Sequence, residues 1–205
     1  MGINLRAKGY DNVEERGNFE RLPAGGYVCN IIDAEITNSK SGNQMLKVLV
    51  DINEGKFAGY FKKQFDSLRK TKPELKWAYD AILYQNLFDR DGNVNGGLKS
   101  LLKSVERSNF GFTVNVEDFD EKTLRGKLLG VIFGDKEFEK SNGEVGLSAY
   151  ARFPRSAEKI REGDFQIPEV VKLDKDDASK QAPIQMYKPL TDDHDDPTVL
   201  DDPPF

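Results

Sequence analysis

Apolar and polar residues alternate with a period of two in the first patterned stretch of the chain. In residues 27–37, YVCNIIDAEIT, Val28, Ile32, Ala34 and Ile36 share one parity while Asp33 and Glu35 share the other. That is the pattern of a strand with one wet face. A turn cluster, NSKSGNQ, separates it from MLKVLVDIN, where Leu46, Val48, Val50 and Ile52 alternate with Lys47 and Asp51. The two runs predict a hairpin. After Glu54-Gly55-Lys56, residues 57–65 keep the β character and predict a third strand, with Gly59 marking a bulge or sharp bend.

The period then lengthens. In residues 73–88, PELKWAYDAILYQNLF, Leu75, Ala78, Tyr79, Ile82, Leu83 and Leu87 follow helical spacing, and Pro73 with Glu74 suits a first turn. A shorter helix is predicted over residues 97–105, so that a helical insertion occupies about residues 73–105. Between them, Asp89-Arg90-Asp91-Gly92-Asn93 resembles the start of a calcium loop, but its twelfth position is Ser100 instead of Glu. It reads as a turn. β character returns at residues 112–116 and 127–139, and residues 146–153 follow the Ser141-Asn142-Gly143 turn, a strong hairpin signal.

Three strands, a helical segment and two or three further strands predict a mainly β fold with a helical insertion: an OB-fold-like five-stranded Greek-key barrel. A β-sandwich of similar strand count is the rival. Residues 1–21 read as a loose lead-in, 22–155 as the binding domain, 156–188 as a strap or linker, and 189–205 as a disordered acidic tail.

Composition changes the picture mainly at that tail. Of the 205 residues, 38% are hydrophobic and 32% charged, polar enough to place some of the length outside a core. The formal charge is −5, yet residues 189–205 alone hold Asp192, Asp193, Asp195, Asp196, Asp201 and Asp202 without Lys or Arg. Removing these six leaves residues 1–188 at +1, a body free to carry a local basic face. Cys29 is the one cysteine and His194, in the tail, the one histidine. Neither an internal disulfide nor a Cys- or His-based metal site or triad has material, and no cofactor is expected. No phosphate-cradling glycine motif occurs, and catalysis is not expected. With no apolar signal region and no apolar run of membrane-spanning length, a reducing cytoplasm is the expected setting.

The carboxyl end, Asp201-Asp202-Pro203-Pro204-Phe205, is the most specific motif. Two acids, two conformationally restricted prolines and a terminal ring bearing the free carboxylate suit a basic-rimmed apolar pocket on a partner. This end resembles the acidic tip of bacterial single-stranded-DNA-binding proteins, with Pro203 where that family carries an aliphatic residue. LPAGGY at residues 22–27, followed by SKSGN at 39–43 and an apolar strand, is similar to phage-encoded single-strand-binding proteins over roughly residues 20–175. The resemblance implies an OB-type barrel that coats single-stranded DNA during phage replication or recombination, and a tail that recruits replication or recombination proteins. Oligomeric state stays open.

Non-specific single-strand binding needs cations for phosphates and ring faces for bases. On the outward parity of the predicted strands, Tyr60 with Lys62, Tyr150 with Arg152, and Lys47 qualify; Lys40 lies in the first hairpin loop. Phe61, Phe65 and Phe153, on the opposite parity, are expected in the core. Tyr79 fits the core stripe of the predicted helix, while Trp77 and Tyr84 fall off it. The alternative is a module that binds protein and not DNA, such as a phage inhibitor or recruiter of host enzymes.

Overall fold

The computed structural model describes residues 4, 6–8, 20–140 and 142–173; the tail and most of the lead-in lie outside them, and with them the tip residues Asp201, Asp202, Pro203, Pro204 and Phe205. Strand β1 (Gly25–Asn38) and strand β2 (Gln44–Ile52) form the expected antiparallel hairpin. On β2 the alternation works as written: Leu46, Val48, Val50 and Ile52 are all buried. On β1 it does not, because the register slips at a bulge between Ile31 and Asp33. Before the bulge Cys29 and Ile31 face the interior; after it Ala34 does, leaving Ile32 exposed. Inserting one residue moves every following side chain to the other face.

The next two segments exchange the roles expected of them. The predicted third strand is helix α1 (Tyr60–Arg69), and the predicted long helix instead contains a 3-10 turn (Tyr79–Ala81) and strand β3 (Ile82–Asn86), paired antiparallel to β2. Gly59 takes a left-handed backbone (φ 72°), which turns the chain into α1 and which other residues adopt only with strain. Asp51 was expected on a wet face. It is buried, and its Oδ1 accepts the backbone N–H groups of Ile52 and Phe61, both at 3.0 Å, tying the start of α1 to β2. Burial pushes its carboxyl pKa up against those stabilising bonds. Phe61 then fills the barrel's end, stacked 5.8 Å from Phe133.

Helix α2 (Gly96–Ser108) matches the predicted shorter helix, with Asn95 accepting the Gly97 N–H as its N-cap and Leu98, Leu101 and Val105 in the core. Residues 112–116 form no strand; there Val114 is buried and its N–H is held by Glu106 at 3.0 Å. The last strands, β4 (Leu128–Glu139) and β5 (Val145–Arg155), form the second hairpin. Residues 89–93 are a turn, with Asp89 accepting the N–H groups of Asp91 and Asn93.

The five antiparallel strands run in the order β3-β2-β1-β4-β5. Placing β4 beside β1 after the β1-β2-β3 meander is the Greek-key step. The sheet curls until its two end strands approach, giving a nearly closed barrel of OB type. Across that seam the junction is polar: Asp80 accepts the Ser148 hydroxyl at 2.6 Å and sits 2.8 Å from the Lys136 ammonium. Outside the barrel, helix α3 (Ala157–Glu162) packs Ala157 and Ile160 against Val28 and Ile132. The strap then returns to β4, where Val171 donates to the Asp135 carbonyl and accepts from the Glu137 N–H, a short parallel bridge on an edge that β1 does not reach. Among the described residues no helix is long and apolar enough to cross a membrane.

Candidate functional site

The outer surface over the seam gathers aromatic rings and cations into one line. Tyr84, on the outer parity of β3, lies 6.0 Å from Tyr79, which the 3-10 turn delivers just before that strand. The Lys136 ammonium, on β4, stands 5.3 Å from the Tyr79 ring and 4.9 Å from the Tyr150 ring on β5. The Arg152 guanidinium lies 5.6 Å from Tyr150 and 5.1 Å from Phe153. The order is therefore Tyr84, Tyr79, Lys136, Tyr150, Arg152, Phe153, drawn from three strands and a turn.

Each member is held by local causes. Tyr150 and Arg152 face outward because Ala149 and Ala151, on the alternate parity, are buried inward. Opposite Tyr150 in the register is Gly134, and a methyl group there would meet the Arg152 Cδ at 2.7 Å and Pro168 at 2.8 Å. The missing side chain lets the Arg152 stem cross β4 and bring its charge over the rings. Lys136 is largely enclosed, its side chain 15% exposed, and Asp80 neutralises it. Arg152 makes no ion pair among the described residues; it reaches only the Glu169 carbonyl, at 3.5 Å. Burial, opposed by Arg152 and aided by Asp80, pushes the Tyr150 hydroxyl pKa above its usual value. Tyr150 thus presents a neutral ring at any physiological pH. Ring faces beside cations offer stacking surfaces to planar bases and charge to phosphates at once.

Of the six residues expected to touch DNA, Tyr150 and Arg152 lie together in this line. Lys47 projects from β2, directly opposite Tyr84 in the register, and pairs with Glu35 at 3.1 Å. Lys40 is exposed in the β1–β2 turn. Tyr60 and Lys62 stand elsewhere, because their segment is a helix: the Tyr60 hydroxyl accepts the Leu22 N–H and its ring meets Phe57 and Phe61 edge-on, while Lys62 pairs with Asp66 at 2.7 Å. Tyr79 and Phe153, expected in the core, are 40% and 38% exposed and belong to the line instead. Lys136 is a member that sequence reasoning passed over; its outward position on β4 follows from parity, but Asp80 and Tyr79 reach it only through the closed barrel. Trp77 anchors α1 to the barrel, donating to the Val50 carbonyl at 3.2 Å and packing 5.3 Å from Phe65.

Other sites have less material. Cys29 is fully buried, and burial raises its thiol pKa well above the usual value, which leaves it protonated. Among the described residues no group of three or more His, Cys, Asp or Glu side chains gathers as a metal site. No curated protein matches the chain. Residues 8–100, which include β1, β2, α1 and β3 with Tyr79 and Tyr84 but stop short of Lys136, Tyr150 and Arg152, are similar to the family described as "Protein of unknown function (DUF669)".

Proposed function

We propose that the protein binds single-stranded DNA without sequence preference, laying the strand along the line from Tyr84 to Phe153. The observation that carries the reading is the alternation of rings and cations on the outer face of an OB-type barrel, the chemistry that sequence-tolerant binding of single strands uses. The rings offer π faces that every base can stack on, and the Arg152 charge lies over two of those rings. Lys47 and Lys40 extend the positive edge toward the β1–β2 turn. The acidic tip, Asp201 to Phe205, serves on this reading as the recruiting peptide for replication or recombination proteins. Its phage setting rests on the resemblance of the tip and of the first hairpin to single-strand-binding proteins.

The test is fluorescence anisotropy of end-labelled oligo-dT against the full chain over a range of salt. Saturable binding that weakens linearly in log affinity against log salt is expected, with a duplex of equal length bound more weakly. Absence of saturable, salt-sensitive binding overturns the proposal in favour of a module that docks protein.

A further inference from the structure

Residues 60–76, YFKKQFDSLRKTKPELK, carry six cations (Lys62, Lys63, Arg69, Lys70, Lys72, Lys76) against Asp66 and Glu74. That is a local charge of +4 on a body whose total is +1. All six are exposed. Several cations elsewhere on the barrel are answered by carboxylates, Lys47 by Glu35, Arg125 by Asp33, Lys136 by Asp80 and Arg161 by Glu54, with Arg152 of the ring line a counterexample. In this arm Arg69, Lys70 and Lys76 make no ion pair among the described residues, and the Arg69 charge lies over the Phe65 ring at 5.5 Å. Crowding like charges costs stability through self-repulsion, so folding alone gives no reason to collect them here.

The arm is also built as a platform. Phe65 packs on Trp77, Trp77 is bonded to β2, Leu75 is buried, and the Leu68 carbonyl accepts the N–H groups of both Thr71 and Lys72. It leads straight into the line of rings: Lys76 precedes Tyr79 by three residues, a span of at most about 11 Å of extended chain.

We infer that this arm, through Arg69, Lys70, Lys72 and Lys76, is a second phosphate-binding surface, taking up the same single strand beyond the Tyr84–Tyr79 end of the ring line. The inference rests on the proposed DNA binding and sets its footprint: short strands fill the ring line alone, longer ones reach the arm. Its occupant is backbone phosphate, so the arm adds affinity and salt dependence without sequence preference.

The experiment compares the full chain with Arg69→Ala/Lys70→Ala/Lys72→Ala/Lys76→Ala on labelled oligo-dT of 8 and 24 nucleotides. A second variant, Lys70→Arg/Lys72→Arg/Lys76→Arg, keeps the charge, and circular dichroism melts check that both fold. The alanine variant should bind the long strand roughly 10- to 100-fold more weakly, with a salt slope smaller by about 3 for four lost phosphate contacts, and the short strand within about twofold of the parent. The arginine variant should bind both as the parent does. Equal losses on the two lengths, or an unchanged long-strand affinity, overturn the inference, the second result assigning the arm to an acidic protein partner. If the parent chain binds neither length, it is the proposed function that falls.

Discussion

Phe133 and Lys136 lie three residues apart on β4, yet the first is sealed in the interior among Tyr27, Phe61 and the inner faces of β1 and β5, while the second stands outside between two tyrosine rings. Both sides of the strand use aromatic residues, to different ends. Inside, ring meets ring, contacts are apolar, and what is gained is removal of surface from water. Outside, ring meets cation, each face is left half-covered, and the arrangement forgoes burial to keep surface for something else. Stability and binding should therefore be separable along a single strand.

The largest expected effect tests the inner side. Phe133→Ala opens a cavity in a residue with no exposed surface and should cost about 3–5 kcal/mol of unfolding free energy in urea, with the folded fraction binding oligo-dT as before. On the outer side, Tyr150→Leu keeps apolar bulk but removes the ring face. It should weaken oligo-dT binding by about 1–3 kcal/mol and change the melting midpoint little. A parallel loss of stability would show that the line of rings is structural after all.

Asp80→Asn sharpens the comparison, because Asp80 belongs to both sides. Losing its charge leaves Lys136 without its anion and weakens the seam by on the order of 1–2 kcal/mol, while the freed ammonium tightens the strand. Unfolding and binding measurements should thus move in opposite directions. Smallest of all, Lys62→Ala removes an exposed pair with Asp66 and should change stability by less than about 1 kcal/mol in a thermal melt.

How far the sequence foretold this architecture depends on which interactions decide each segment. β2, β5 and α2 were legible because their burial follows their own period, as at Leu46, Val48 and Val50 or at Leu98, Leu101 and Val105, and β4 because it is an apolar run, buried without a break from Leu129 to Asp135, followed by a turn signal. Residues 57–88 were not. The stripe of Leu75, Ala78, Tyr79, Ile82 and Leu83 has helical spacing, but the residues that end up buried are Leu75, Ala81, Leu83 and Leu87, and around β3 that is strand spacing. What converts the segment is the free edge of β2 offering a ladder to Ile82–Asn86, a tertiary gain that local pattern does not contain. The helix α1 has a similar origin: Asp51, nine residues before its first residue, captures its N-terminus. The site was legible by half. Tyr150 and Arg152 follow from parity, whereas Tyr79 and Lys136, 57 residues apart in the chain, meet only because the barrel closes.

That closure has a dynamic consequence. Since β3 and β5 are the ends of the hydrogen-bonded order, and Asp80 in the turn before β3 reaches Ser148 of β5 and Lys136 of β4 through side chains, the joint can part without tearing a ladder, unlike any other junction in the sheet. Amide deuteration should accordingly run fastest in β3 and the seam half of β5 and slowest in β1, which is flanked by ladders on both edges. A strand lying from Tyr84 to Phe153 would cross this joint like a splint. The protection it confers on β3 and β5, beyond that of β1, would measure how much of the binding energy goes into holding the barrel shut.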